Sequence, residues 1–372
     1  MCCSKQYSSW VEINLGAIQN NIHYIHDLSN VQIMAVVKAN AYGHGMAPVA
    51  RAAIQGGATW CGVARLEEAL DFRQAGIECP LLLLGYTPPD RYVDAITKHI
   101  SITVWSQEQI DFAEQVSMQT GIKARVHLKV DTGMSRLGVQ VEDAILLARY
   151  LHAQKFLSYE GVFTHFARAD EGDPDPTDQQ EDLFYQVIET LQAEGLCPPL
   201  IHAANSAASL TRPTAYFNLV RMGIAMYGLH PSSQCPLPQV FQPALTWKSV
   251  LSQVKILPAG RGVSYGHIYT THKDERIGTI PVGYADGYRR TPGNIILIQG
   301  RRVPVIGRVC MDQIMVSLDT VPEAKTGEEV VLIGSQGEQI ISAEEVARRW
   351  DTINYEVTCG IGARVPRIFL PA

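Results

Sequence analysis

Short apolar runs recur through the first two thirds of the chain, at Ile33–Val37, Trp60–Ala64, Leu81–Gly85, Ser101–Trp105, Arg125–Val130, Ser158–Thr164, Leu200–Ala203 and Leu219–Ile224. The first of them, Ile33–Val37, is continuous rather than alternating, which is the pattern of a strand buried in a parallel sheet. Helix punctuation falls between them. Ser106-x-x-Gln109 is a capping-box signal and Gly121 stands where that helix should stop. Leu66–Gln74 is helical in pattern and is followed by Gly76, and Thr177-x-x-Gln180 predicts a further helix start after the acidic, proline-containing loop from Asp170 to Pro176. Eight β/α units in about 230 residues match a (β/α)8 TIM barrel, a fold of roughly 250 residues. An open doubly wound sheet is the alternative, but no GxGxxG turn follows the first strand.

The pattern changes near Pro243. From Ala244 onward β-branched runs separated by turns dominate, at Val250–Leu257, Ile277–Val282, Ile295–Ile298, Val303–Ile306, Ile314–Leu318 and Val330–Ile333. Gly300-Arg301 reads as a hairpin turn, and only Ser342-x-x-Glu345 through Trp350 reads clearly as a helix. This predicts a barrel over residues 1–240 and a mainly antiparallel β domain over 241–372. Ser9–Asn14 alternates like an edge strand, so residues 1–14 could pack with the second domain.

Composition narrows the function classes. The 372 residues are enough for two domains and a large core, and 46% hydrophobic with 18% charged residues is ordinary for a globular protein. A net charge of −6 argues against nucleic acid or an anionic membrane as partner. No apolar stretch is long enough to span a bilayer. Met1–Gln6 lacks an apolar signal core, so a cytoplasmic location is expected. The 8 cysteines, Cys2 and Cys3 among them, are scattered without a Cys-x-x-Cys pair and read as reduced thiols. No metal-ligand spacing is present.

Lys38 ends the first apolar run and opens into Ala39-Asn40-Ala41-Tyr42-Gly43-His44-Gly45. A lysine at the carboxyl end of a buried strand faces an apolar cleft, where desolvation favours the neutral, nucleophilic amine. Such an amine can form a Schiff base with an aldehyde cofactor such as pyridoxal 5'-phosphate (PLP). The plainer reading is a strand-end lysine reaching for water. Barrel chemistry sits on the loops after the strands. Collected there are Lys38 and Tyr42; Asp131 through Arg136; His165; His202, Asn205 and Ser206; and Arg221, Gly223 and Ile224. Ser206 and the backbone at Gly223 and Ile224 could hold a phosphate.

These segments together resemble the alanine racemases. The matching motifs are AVVKANAYGHG (35–45), HLKVDTGMSRLG (127–138), THF (164–166), HAANSAA (202–208), VRMGIAMYG (220–228), VSYGHIYT (263–270), PVGYADGYRR (281–290), GRVCMDQIMV (307–316) and INYEVTC (353–359). The resemblance runs from Trp10 to Phe369 and implies a PLP-dependent enzyme interconverting L-alanine and D-alanine, supplying the D-isomer for peptidoglycan. It implies that Lys38 holds PLP and acts as one base, with Tyr265 of a partner subunit as the other. Arg221 would pair with the pyridine nitrogen, and Tyr42, Ser206, Gly223, Ile224 and Tyr355 would hold the phosphate. His165, His202 and Asn205 would complete the cofactor site. Arg136 and the backbone at Met311, flanked by Cys310 and Asp312, would hold the substrate carboxylate. Tyr284, Asp170, Arg290, Arg308 and Ile353 match an access corridor, and Lys129 matches a lysine carried as a carbamate by several members. The assembly implied is a head-to-tail homodimer with shared sites.

The chemistry is consistent with these roles. Racemisation removes a proton from one face of a carbon and delivers one to the other, so two bases must flank it. Lysine and tyrosine both titrate near 10 in water and must be lowered by their surroundings; Arg221 and a protonated His165 are the expected cations for the tyrosine. Three rivals are a PLP carrier, a decarboxylase of similar architecture and a serine racemase. The first lacks a β domain, the second uses a glutamate where Arg221 stands, and Tyr355 narrows the space a hydroxymethyl group needs. A non-catalytic interaction module is the remaining alternative.

Overall fold

The computed structural model describes residues 6–371; Cys2 and Cys3 lie outside the described residues. The chain divides into two compact units, one comprising Gly16–Ala41 with Gly45–Gln242, the other the amino-terminal residues to Leu15, Tyr42–His44 and Pro243 onward.

The first unit is a parallel barrel. Its strands are β2 (Gln32–Val36), β3 (Trp60–Val63), β4 (Leu81–Leu83), β5 (Ser101–Val104), β6 (Ala124–Asp131), β7 (Leu157–Phe163), β8 (Leu200–His202) and β9 (Leu219–Met222). From β2 to β8 each pairs in parallel with the next, and β9 pairs in parallel with β2, Leu219 opposite Gln32. All eight lie within two residues of the runs read from the sequence, although several carry buried polar residues, Thr103, His127, Lys129 and Arg221 among them. The join between β8 and β9 is sparse. Two main-chain bonds cross it, Asn218 N–H to Ile201 O at 3.4 Å and Arg221 N–H to Ala204 O at 3.0 Å.

Helices follow seven of the strands: α2 (Met46–Gln55), α3 (Leu66–Gln74), α4 (Tyr92–Thr97), α5 (Gln107–Thr120), α6 (Val141–His152), α7 (Asp175–Ala193) and α8 (Ser206–Thr211). The Ser106 hydroxyl accepts from Gln109 N–H at the start of α5, and Gly121 ends it in the left-handed conformation at φ 70°. A helix with no strong sequence signal, α1 (Leu15–Ser29), precedes β2; its Asn21 amide is buried and donates to Met226 O and Gln242 O at 3.0 and 2.9 Å. The α7 start differs from expectation. It begins at Asp175, after Pro174 at the cap position and two residues before Thr177, which leaves Gln180 inside the helix and its amide available to the loops of the site.

The second unit is a mainly antiparallel sheet. Its strands are β1 (Ser9–Asn14), β10 (Leu245–Val250), β11 (Gln253–Leu257), β12 (Glu275–Ile280), β13 (Ile295–Ile298), β14 (Arg301–Ile306), β15 (Ile314–Ser317), β16 (Glu329–Gln336), β17 (Gln339–Ile341) and β18 (Arg367–Leu370). The order is β11-β12-β15-β14-β13-β16-β10-β1-β18, with β17 on β16. β1 therefore belongs to this sheet, antiparallel to β10 and parallel to β18. Three expectations change here. The run at Val250–Leu257 is two strands broken at Leu251-Ser252. The β13–β14 hairpin turns at Gln299-Gly300, both at positive φ (53° and 68°) as a primed turn requires, and Arg301 is already paired. Besides α9 (Ala343–Arg349), capped by the Ser342 hydroxyl, a second helix, α10 (Asn354–Cys359), follows Ile353 with no side-chain cap to announce it.

Candidate active site

The barrel axis carries a chain of buried polar groups. Arg221 on β9 is 4% exposed and makes no ion pair among the described residues. Its guanidinium donates to the carbonyls of His202, Thr164 and Ala203, each at 2.9 Å, and to the Nδ1 atoms of His202 and His165 at 2.9 and 3.1 Å. Burial pulls its pKa down to about 9, still above neutrality, so it stays charged. A guanidinium only donates. His202 Nδ1 must therefore accept, its Nε2 carries the proton, and that proton goes to Nδ1 of His127 at 3.1 Å. His127 Nε2–H then donates to Glu160 at 3.2 Å, where Ser101 also donates at 2.5 Å. Burial raises the Glu160 pKa, but the bonds from His127 and Ser101 outweigh it and hold the carboxyl below its usual range. Gly161 makes room for this chain: a Cβ there would lie 2.4 Å from His127 Nδ1.

A cluster of basic residues adjoins Arg221. Lys129 on β6 is 5% exposed and lies over the Phe163 ring at 5.4 Å, with Arg221 on the same ring at 5.5 Å. Burial, then the charges of Arg136 and Arg221, bring the Lys129 pKa down to about 8. His165 is held well below its ordinary value by burial and by the charges of Arg221, Arg136, Lys129 and Lys38. The expected protonated His165 is corrected by its partner: Nδ1 accepts from the Arg221 guanidinium, which only donates, so the ring is a neutral imidazole among basic side chains. The Arg136 loop is shaped by Asp131, whose carboxylate accepts from Gly133 and Ser135 N–H, both at 3.0 Å. Gln180 ties that loop to the next by accepting from Ala167 N–H at 2.8 Å and donating to His165 O and Thr132 Oγ1 at 3.1 and 3.3 Å.

Lys38 follows β2 and Val37, half-buried, and introduces a left-handed turn. Ala39, Asn40 and Ala41 sit at φ 52–55° and ψ 46–53°, and Tyr42 follows at φ 52°. This conformation costs an L-residue about 1–2 kcal/mol. Such strain persists only where surrounding contacts impose it.

The phosphate candidates form a compact cradle. Ser206 opens α8, and its hydroxyl accepts from the N–H groups of Gly223 and Ala225 at 3.0 and 3.3 Å. Asn205 caps α8 through Ala208 N–H at 3.0 Å. The Gly223 amide is thus committed to Ser206. Ile224 N–H between them has no acceptor among the described residues, an orphaned donor that an anion would satisfy.

In the second unit Tyr42 is buried with its ring 6.0 Å from that of Tyr355 on α10. Gly43 beside it lies against Thr358, where a Cβ would meet the carbonyl at 2.1 Å. Tyr265, Cys310, Met311 and Asp312 line one hollow of about 510 Å³ together with Ser264, whose hydroxyl reaches Arg308 O at 2.6 Å. Arg364 pins Asp312 and Asp286 at 2.7 and 2.6 Å. Tyr284 N–H donates to Cys310 O at 3.0 Å and Arg290 to Val309 O at 3.2 Å. Tyr265 is 67% exposed, and Ile353, Met311 and Tyr284 are exposed as well. Asp170, in the barrel unit, accepts from Ser232 through its backbone carbonyl.

Fold and site together define a (β/α)8 barrel protein that gathers basic side chains, Lys129 and Arg221 buried among them, toward the carboxyl ends of its strands. Residues 13–231 match the family model of the alanine racemase N-terminal domain, and residues 244–369 that of the C-terminal domain. Alanine racemase from Desulfovibrio desulfuricans is 43% identical over 97% of this chain and 98% of its own; alanine racemase 1 from Bacillus subtilis is 45% identical over 97% and 93%. The crystal structure of alanine racemase from Bacillus anthracis with bound L-Ala-P superposes with a TM-score of 0.91 at 42% identity, over 98% of this chain and 95% of that one. The chain belongs to the alanine racemase family.

Proposed function

We propose that this protein interconverts L-alanine and D-alanine with pyridoxal 5'-phosphate as cofactor, in the cytoplasm, and supplies D-alanine for peptidoglycan. The observation that carries the proposal is the convergence of Lys38, Lys129, Arg136, His165 and Arg221 in the barrel of a chain 43% identical to an alanine racemase over 97% of its length. No helix among the described residues is long and apolar enough to cross a membrane.

The residues present fit the cofactor. The Ser206 hydroxyl and the orphaned Ile224 amide suit a phosphate, and the family resemblance adds Tyr42 and Tyr355 to them. Arg221 would donate to the pyridine nitrogen, and because arginine keeps its proton that nitrogen would stay unprotonated. The cofactor supplies an electron sink for the α-carbon, and this arrangement makes it a weak one, which limits side reactions.

The proton transfers fall to this chain. Lys38 Nζ would hold the cofactor and move the proton on one face of alanine, and Tyr265 of a partner subunit the proton on the other. Arg136, with Lys129 as its carbamate, and the partner backbone at Met311 would hold the carboxylate. Tyr284, Arg290, Arg308, Ile353 and Asp170 would line the access corridor. The exposed apolar surface around Tyr265, Met311 and Ile353 suits burial against a second copy.

Circular dichroism of L-alanine incubated with the cofactor-loaded protein tests the activity. Decay of the signal toward zero supports it, and a constant signal with a yellow, loaded protein rejects it. Borohydride reduction should fix the cofactor on the peptide containing Lys38; label on another lysine rejects the assignment.

A further inference from the structure

We propose that Glu68, on α3, is a positioning residue that clamps the left-handed turn after Lys38 and so fixes the anchor of that lysine. The inference rests on the reading of Lys38 as the cofactor lysine. The first N–H groups of any helical turn lack partners within it, whichever its hand. Here Ala41 N–H returns to Val37 O at 2.8 Å, and Ala39 N–H, next to Lys38, needs an acceptor from elsewhere. Glu68 supplies it: Oε1 accepts from Ala39 N–H at 2.6 Å. Its other oxygen accepts from Ala64 N–H at 2.8 Å and Arg65 N–H at 3.1 Å. One carboxylate thus joins the loop after β2 to the loop after β3. Both oxygens are occupied by backbone donors, and bonds to an ionised acceptor are the strong kind.

The far end of the turn is held separately. Asn40 accepts from Gly45 N–H through its carbonyl at 2.8 Å and from Met46 N–H through its side chain at 2.9 Å. Between these two fastenings the residues adopt a conformation that alanine disfavours. Releasing Glu68 frees the end adjoining Lys38, so the amine loses its fixed origin while the groups that would hold the substrate carboxylate are untouched. A glutamine cannot serve both loops, because its amide nitrogen would face an N–H donor.

The test compares full-length Glu68→Ala, the double variant Glu68→Ala with Ala39→Gly, and Glu68→Ala with Arg65→Ser. Glycine removes the left-handed penalty without restoring the bond. Serine at the α3 cap position restores a helix cap without restoring the contact to Ala39. In Glu68→Ala, deuterium uptake of the peptide spanning Lys38–Gly45 should accelerate about tenfold in the cofactor-free chain, the order of one lost charged hydrogen bond. Pyridoxal phosphate affinity should fall by about the same factor. The kcat should fall with little change in KM for alanine. Ala39→Gly should recover most of the affinity and the kcat, and Arg65→Ser should not. Unchanged deuterium uptake in Glu68→Ala, or rescue by Arg65→Ser instead of Ala39→Gly, overturns the clamp. Borohydride label away from Lys38 in the wild-type protein would overturn the cofactor reading alone, since the deuterium measurement judges the clamp without cofactor.

Discussion

Arg221 donates to Nδ1 of His202 at 2.9 Å, and because a guanidinium never accepts, that contact sets the tautomer of two histidines in turn and ends on an ionised Glu160. The chain has one direction and one terminus.

Glu160→Leu should therefore strand the His127 Nε2–H in the barrel and destabilise the protein by about 1–3 kcal/mol. Adding His127→Phe removes that donor but strands the His202 Nε2–H in its place, so the double variant should lose less than the two single variants summed. Urea midpoints check both; a double variant weaker than the sum of the singles would refute the chain as drawn.

The same carboxyl gives a pH signature. Its folded pKa lies below the unfolded value, so its contribution is present above the unfolded value of about 4.3 and is lost as pH falls through the folded value. The stability difference between wild type and Glu160→Gln should be constant near neutrality and shrink below about pH 4.3. A difference that instead shrinks on the alkaline side would contradict the assignment.

With a Lys129 pKa of about 8, a sizeable neutral fraction is present at neutral to alkaline pH, which carbamylation by dissolved carbon dioxide requires. The carbamate would turn a repulsive approach to Arg136 into an attractive pair. Lys129→Ala should raise KM for alanine about tenfold, the scale of one charged hydrogen bond, and acetate should restore part of it. A crystallographic map with a bare amine at Lys129 removes the idea.

Tyr265→Phe should separate the two faces of the reaction. Solvent deuterium wash-in should be lost far more for L-alanine than for D-alanine, since Lys38 still serves the second. Equal loss for both antipodes argues against two bases.

Co-expression of Lys38→Ala with Tyr265→Phe tests the shared site. Each homodimer should be nearly inactive, while the heterodimer has one doubly damaged and one intact site and should regain up to about half of wild-type activity. Purified heterodimer as inactive as its parents would place Tyr265 within its own chain.

The barrel was legible because short β-rich runs alternate with helix punctuation, and the loops after them carry the motifs. What escaped the sequence depends on long-range geometry. His127 and His202 are 75 positions apart and Glu160 is 33 from His127, so nothing local shows that their rings meet. Glu68 reads as an ordinary helix-start glutamate until Ala39 arrives beside it. α1 hides a buried asparagine among apolar positions, and α10 begins without a capping side chain. The neutrality of His165 follows from the Arg221 guanidinium that donates to its ring rather than from its motif.

The sparse join between β8 and β9 gives Arg221 a second duty. Where a continuous ladder would run, its guanidinium reaches across to the carbonyls of Thr164, His202 and Ala203, acting as a rivet in the wall of the barrel. The residue that would face the proposed cofactor's ring nitrogen and the residue closing the cylinder are the same. On the proposed function, the electronic character of the cofactor would be tied to the mechanical integrity of the scaffold. A glutamate at that position, the simplest way to redirect the chemistry, would pit a carboxylate against three carbonyl oxygens. Reprogramming this enzyme would mean re-riveting the seam first.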